Sequence, residues 1–115
     1  MPLINLAKLL DRLGRPAEAL QLYSDGLRIN PEYYPARYAL GSLCLQMERL
    51  PEAIQHLGLA VRQKPRSIGS HLTLSQAFIR ANRQGDAEQQ LHEVLRLDPA
   101  NVQAQEQLKT LGMIR

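Results

Sequence analysis

Apolar residues along this chain come in runs of helical spacing separated by short polar breaks. Leu3, Leu6, Leu10 and Leu13 fall three or four apart, and so do Leu20, Tyr23 and Leu27; that period lines side chains along one face of an α-helix. The break between the two runs has a chemical cause. Gly14 can take the left-handed conformation that ends a helix, and Pro16 can open the next one. Pro51 opens a later run in the same way, and Asn82 and Gly85 punctuate a third break. Two amphipathic runs joined by a tight turn predict a helical hairpin.

The hairpin recurs. LRINP at 27–31, VRQKP at 61–65 and LRLDP at 95–99 begin 34 residues apart (61 − 27 and 95 − 61), and a fixed period of this size marks a repeat architecture. Aligned on Pro31, Pro65 and Pro99, the copies place like side chains together. Leu6, Leu40 and Leu74 coincide, followed at once by the small residues Ala7, Gly41 and Ser75. Leu10, Cys44 and Phe78 share a site, as do Ala19, Ala53 and Ala87; then come the large residues Tyr23, Leu57 and Leu91, and after them Gly26, Ala60 and Val94. Small residues let paired antiparallel helices approach closely while bulky neighbours fill the remaining space. Each closing proline stops its helix and moves the preceding residue, Asn30, Lys64 or Asp98, out of the helical region.

Period, small sites, large sites and proline together resemble the tetratricopeptide repeat family, whose unit is a 34-residue helix-turn-helix with a small residue in helix A, an alanine in helix B and a closing proline. The resemblance covers almost the whole chain and implies an all-α, right-handed superhelical solenoid of about seven helices. On that reading residues 1–115 form a single domain, with repeats at 1–33, 34–67 and 68–101 and a polar capping helix at 102–112, whose N-cap is Asn101. Leu3, Arg37 and His71 stand where the family has a tryptophan-like residue, a departure that bears on packing detail rather than on the fold. The first hairpin begins at Pro2 with nothing to cover its outer face, so apolar surface is expected there, open to a neighbouring repeat, another chain or self-association.

The family resemblance also implies that the A helices line a concave inner surface. The candidate groove residues are Ile4, Lys8, Asp11 and Arg12; Tyr38, Ser42, Leu45 and Gln46; and Leu72, Gln76, Ile79 and Arg80. Ile4, Tyr38 and Leu72 give one large apolar site per copy, extended by Leu45 and Ile79, and such a surface suits a peptide or helix with hydrophobic anchors. A helical period cannot separate groove from core, so packing between repeats is the competing reading for some of these residues. Two ligand modes of the family are poorly supported. The sites that would grip a chaperone's C-terminal carboxylates hold Ile4, Lys8, Ala39, Gly69 and Thr73, too few cations and amides to offset the desolvation of an anion. Of the asparagine ladder found in sugar transferases, only Asn5 is present; Ala39 and Thr73 replace the rest.

Composition narrows the function further. With 44% hydrophobic and 22% charged residues the chain can bury a core. The 14 basic and 11 acidic residues are interspersed and sum to +3, a solvated surface rather than a polyanion-binding tail, so no nucleic-acid partner is expected. The leading MPLINLAKLL lacks the basic start of a signal segment, and no apolar run is long enough to span a bilayer, which leads to the expectation of a cytoplasmic protein without membrane insertion. Lone Cys44 excludes an internal disulfide and reads as a small buried hydrophobe. His56, His71 and His92 occupy three different repeat positions with no carboxylate partner, nucleophile elbow or phosphate loop nearby, so no catalytic, metal or cofactor site is expected. His71 reads as a satisfied, partly buried imidazole, and His56 and His92 read as surface residues. Arg28, Arg62 and Arg96 recur in the last turn of each B helix, where a cation favours the exposed carbonyls; a basic ridge for an acidic protein or RNA is the alternative. The expected function is a non-catalytic protein-protein interaction module. The alternative is a structural, regulatory or oligomerising segment of a larger enzyme or assembly.

Overall fold

A computed structural model of the chain describes residues 2–112. Among them are seven α-helices and no strand: α1 Pro2–Arg12, α2 Pro16–Ile29, α3 Tyr34–Gln46, α4 Leu50–Gln63, α5 Ile68–Arg80, α6 Gln84–Leu97 and α7 Val102–Thr110. The expected hairpin order is therefore present. Contacts divide the chain at Ala60 and Val61 into two compact units. Division without a linker is natural in a repeat fold, where each element touches only its sequence neighbours.

In the first unit α1 packs on α2 and α2 on α3. Small residues set these distances. A Cβ built on Gly26 would lie 2.6 Å from Cδ1 of Ile4, and one built on Gly41 would lie 2.7 Å from Cγ of Leu57 and 3.2 Å from its backbone nitrogen. Ala7, Ala19, Ala36, Ala53 and Ala60 are fully buried beside Tyr23, Leu40, Cys44 and Leu57. In the second unit α5 packs on α6, and α6 on α7. Leu91, Val94, Ala104 and Leu108 form the core there, with Ile68, Leu72, Leu95 and Leu111 against it. The short α7 is anchored by its cap, for the Asn101 side chain accepts from the Ala104 N–H at 2.9 Å.

The turn inside each hairpin has one geometry written in three residues. Gly14, Glu48 and Asn82 occupy the same repeat position and have φ of 75°, 58° and 59°. The N–H after each reaches five residues back, from Arg15 to Leu10, Arg49 to Cys44 and Arg83 to Phe78, closing the helix end. Asn82 therefore ends a helix as expected, whereas Gly85 lies inside α6 and makes no turn. The same arginines pair with the first turn of the next helix, Arg15 with Glu18, Arg49 with Glu52 and Arg83 with Asp86. These exposed pairs contribute little each.

Candidate functional site

The first hairpin carries a solvent-open cavity of about 400 Å³ lined by Lys8, Asp11, Arg12 and Tyr23. Helix α1 supplies the first three at i, i+3 and i+4, which face the same way, and α2 supplies Tyr23 from across the hairpin. Tyr23 is 3% exposed. Burial foremost, and the Asp11 carboxylate next, raise its phenol above the ordinary value, so the hydroxyl stays protonated. Lys8 and Arg12 are exposed, and Asp11 is half-buried.

The remaining expected groove residues fall into distinct groups. Tyr38 is half-buried and stacks on Tyr34, with centroids 6.1 Å apart and planes at 24°. Ser42 is half-buried too, and Gln46 is exposed. In the second unit Leu72, Gln76 and Ile79 are half-buried and Arg80 is exposed, with Leu72 resting on the core that α7 closes. Ile4 and Leu45 depart from the expectation. At 1% and 5% exposure they are core residues, and Ile4 fills the space that Gly26 leaves open on α2.

A second arrangement was not foreseen. Arg37 donates through Nη2 to the Pro31 carbonyl at 3.0 Å and through Nη1 to Nδ1 of His56 at 3.2 Å. One repeat later His71 donates from Nε2 to the Pro65 carbonyl at 2.6 Å, while its Nδ1 lies 2.7 Å from the Gln90 carboxamide. In α7, Gln105 donates to the Pro99 carbonyl at 3.1 Å. Arg37, His71 and Gln105 share one repeat position, and His56 shares another with Gln90. In α3, α5 and α7 the residue at this position thus reaches back six positions to the closing proline and, in the second and third hairpins, sideways to helix B.

This joint explains the polar residues at the tryptophan-like site and makes His71 a satisfied imidazole, as expected, though fully rather than partly buried. His56 is half-buried on the same joint rather than a free surface residue. Desolvation, and then the Arg37 guanidinium, depress its pKa, and Glu52 opposes them. His92 is exposed as expected, but it does have a carboxylate partner, Glu88 one turn earlier on α6, 3.3 Å away. Cys44 is buried; burial and then Glu52 raise its thiol above the ordinary value against a smaller opposing effect of Arg49, which leaves no activated nucleophile. Arg28 and Arg96 are exposed and pair with Asp25 and Glu93 on their own helices.

Comparison with known proteins agrees with this geometry. A family model described as tetratricopeptide repeat matches residues 10–68, just over half of the chain. The chain belongs to the tetratricopeptide repeat family. Its helices superpose on the first tetratricopeptide domain of Spaghetti (RPAP3) bound to the HSP90 peptide SRMEEVD, with a TM-score of 0.88 and 19% identity over 96% of this chain and 87% of that one. They also superpose on YrrB, a tetratricopeptide protein with an unusual peptide-binding site, with a TM-score of 0.85 and 19% identity over 93% of this chain and 55% of that one. At such identities the likeness is one of fold, the tetratricopeptide solenoid. Among curated proteins, human protein O-mannosyl-transferase TMTC2 is 28% identical over 100 residues, 84% of this chain but 12% of the relative's length. The tetratricopeptide chain described here therefore spans only a small part of that relative. No helix among the described residues is long and apolar enough to cross a membrane.

Proposed function

We propose that this chain is a non-catalytic polypeptide-binding module that holds a peptide or helix of a partner protein against the groove-facing residues of its A helices. The cavity bounded by Lys8, Asp11, Arg12 and Tyr23 carries this reading, because it gathers three expected groove residues around one recess. Two relatives of the same fold lend support, since one is bound to an HSP90 peptide and the other is described by its peptide-binding site. A chaperone tail is a poor candidate ligand here, because Ala39, Gly69 and Thr73 offer it no cation or amide.

Selection of displayed random peptides on the chain tests the reading. Enriched peptides should lose on the order of 2 kcal/mol of affinity when Tyr38, a half-exposed aromatic of the kind that anchors ligands, becomes alanine. Unfolding by denaturant should change far less. If no peptide is enriched, or if Tyr38→Ala unfolds the domain and spares binding, the groove reading fails.

One observation favours the alternative of an oligomerising or array segment. Leu6 and Leu9 on α1 and Leu13 just after its end are 46%, 44% and 62% exposed. Their repeat equivalents Leu40 and Leu43 on α3, which has α2 packed on it, are 3% and 2% exposed. Light scattering across protein concentration, repeated with Leu9→Glu, tests self-association through this stripe. A monomer at every concentration would count against it.

A further inference from the structure

The first hairpin differs from the other two at a pair of positions that face each other across its cavity. The second hairpin places Leu45 and Leu57 there and the third Ile79 and Leu91, aliphatic pairs that need no partner. The first places Asp11 and Tyr23, a carboxylate and a phenol, on the wall of the recess. The Tyr23 side chain is more than nine-tenths buried, yet its hydroxyl has no hydrogen-bond partner among the described residues, and the side chains of Lys8, Asp11 and Arg12 have none either. The ring is buried but the hydroxyl opens onto the cavity, so it is met either by water or by a polar group that enters from outside.

The chemistry of that group follows from what it must satisfy. Tyr23, Lys8 and Arg12 donate hydrogen bonds; Asp11 accepts. A carboxylate or phosphate would please the donors but bring a second negative charge against half-buried Asp11. Lys8 and Arg12, exposed to water, would compensate only weakly. A cation would meet Lys8 and Arg12. An aliphatic side chain would strip water from Tyr23 and Asp11 and replace it with nothing. A primary carboxamide offers a carbonyl to the donors and an NH₂ to the acceptor, and it carries no charge.

We propose that the cavity between α1 and α2 receives the carboxamide of a glutamine or asparagine side chain on a bound peptide, its carbonyl taken by Tyr23 and one of the two cations, Lys8 or Arg12, and its amide N–H by Asp11. This site rests on the peptide-binding reading and makes it residue-specific. The other two hairpins, with their aliphatic pairs, have no equivalent.

Immobilised hexapeptide libraries with one fixed residue, Gln, Asn, Glu, phosphoserine or Ala, probed with the whole chain, test the site. The Gln and Asn sets should be retained at least tenfold more strongly than the others. Tyr23→Phe, which keeps the buried ring, and Asp11→Leu, which copies the second hairpin, should each erase that preference. Circular dichroism should show both variants folded, and the persisting library signal from other sets then serves as their binding control. Equal retention of Gln and Glu sets, a preference for Glu or phosphoserine, or a Gln preference unchanged in Tyr23→Phe would overturn the carboxamide site. Peptides that bind and respond to Tyr38→Ala but not to Tyr23→Phe would sink this site alone, whereas a chain that retains no hexapeptide at all sinks the groove reading with it.

Discussion

Replacing Gly41 with alanine should destabilise the chain, although the repeat pattern alone says otherwise. The equivalent residues are Ala7 and Ser75, both with a Cβ, so alignment of the copies would pass the substitution as harmless. The structure gives a different answer. A Cβ at Gly41 would sit 2.7 Å from Leu57 Cγ, 2.9 Å from Cδ2 and 3.2 Å from the backbone nitrogen, where carbon contacts prefer about 3.5 to 4.0 Å. Leu57 is fully buried, and its Cγ is the branch atom of the side chain, so it cannot swing aside as a terminal methyl does. The hairpin must open, at a cost of about 1 to 3 kcal/mol. Exchanging a helical glycine for alanine returns about 1 kcal/mol, which leaves a net loss of up to roughly 2 kcal/mol, toward the upper end because the close atoms are a branch carbon and backbone.

Gly26→Ala is the control. There the close atom is Ile4 Cδ1, the end of a side chain that can rotate away, so the clash and the gain in helix propensity should nearly cancel. Urea denaturation of the two variants beside the wild type, fitted for midpoint and slope, reads the difference directly. A Gly41→Ala protein as stable as Gly26→Ala would refute the claim that α3 and α4 are held at a distance only glycine allows.

Other substitutions bear on other parts of the fold. Glu48 takes a left-handed turn that a side chain makes strained, so Glu48→Gly should raise stability by about 1 kcal/mol, seen as a higher urea midpoint; an unchanged or lower midpoint would show that contacts of the Glu48 side chain offset the strain. His56 has a folded-state pKa below its unfolded value near 6.5, so the unfolded chain binds the extra proton first. Stability should then be full above that unfolded value and fall as pH drops toward the folded one, and His56→Gln should flatten this part of a stability-against-pH curve. His71→Leu keeps an apolar body but abandons the Pro65 carbonyl and Gln90, and should cost about 1 to 3 kcal/mol. Thermal unfolding followed by circular dichroism measures it, and a loss within error of zero would mean that water replaces the imidazole freely.

The fold was legible because its signals are spaced like a ruler. Pro31, Pro65 and Pro99 fixed the period, and Gly14 and Asn101 declared their turn and cap by residue type. The turn at Glu48 hid because glutamate has no preference for left-handed backbone; only its register with Gly14 and Asn82 could have revealed it. Ile4 and Leu45 lie on the same helical stripe as Lys8 and Tyr38, and a 3.6-residue period does not say which part of a stripe a neighbouring helix will cover. Tyr23 was legible as packing and illegible as a polar group, since its ring fills a core site while its hydroxyl lines a cavity. The reach-back bond to each proline carbonyl was hidden by chemistry: arginine, histidine and glutamine share no residue class, though they share a register.

That bond also says something about how such a chain tolerates drift. Guanidinium, imidazole and carboxamide each close the same six-residue span, so the position demands a donor of adequate length and little else. Exchanges among these side chains should pass quietly, whereas a short or purely aliphatic replacement leaves a carbonyl without its bond. The loop leading from each of these prolines into the next helix is thereby held by a fastening with interchangeable parts.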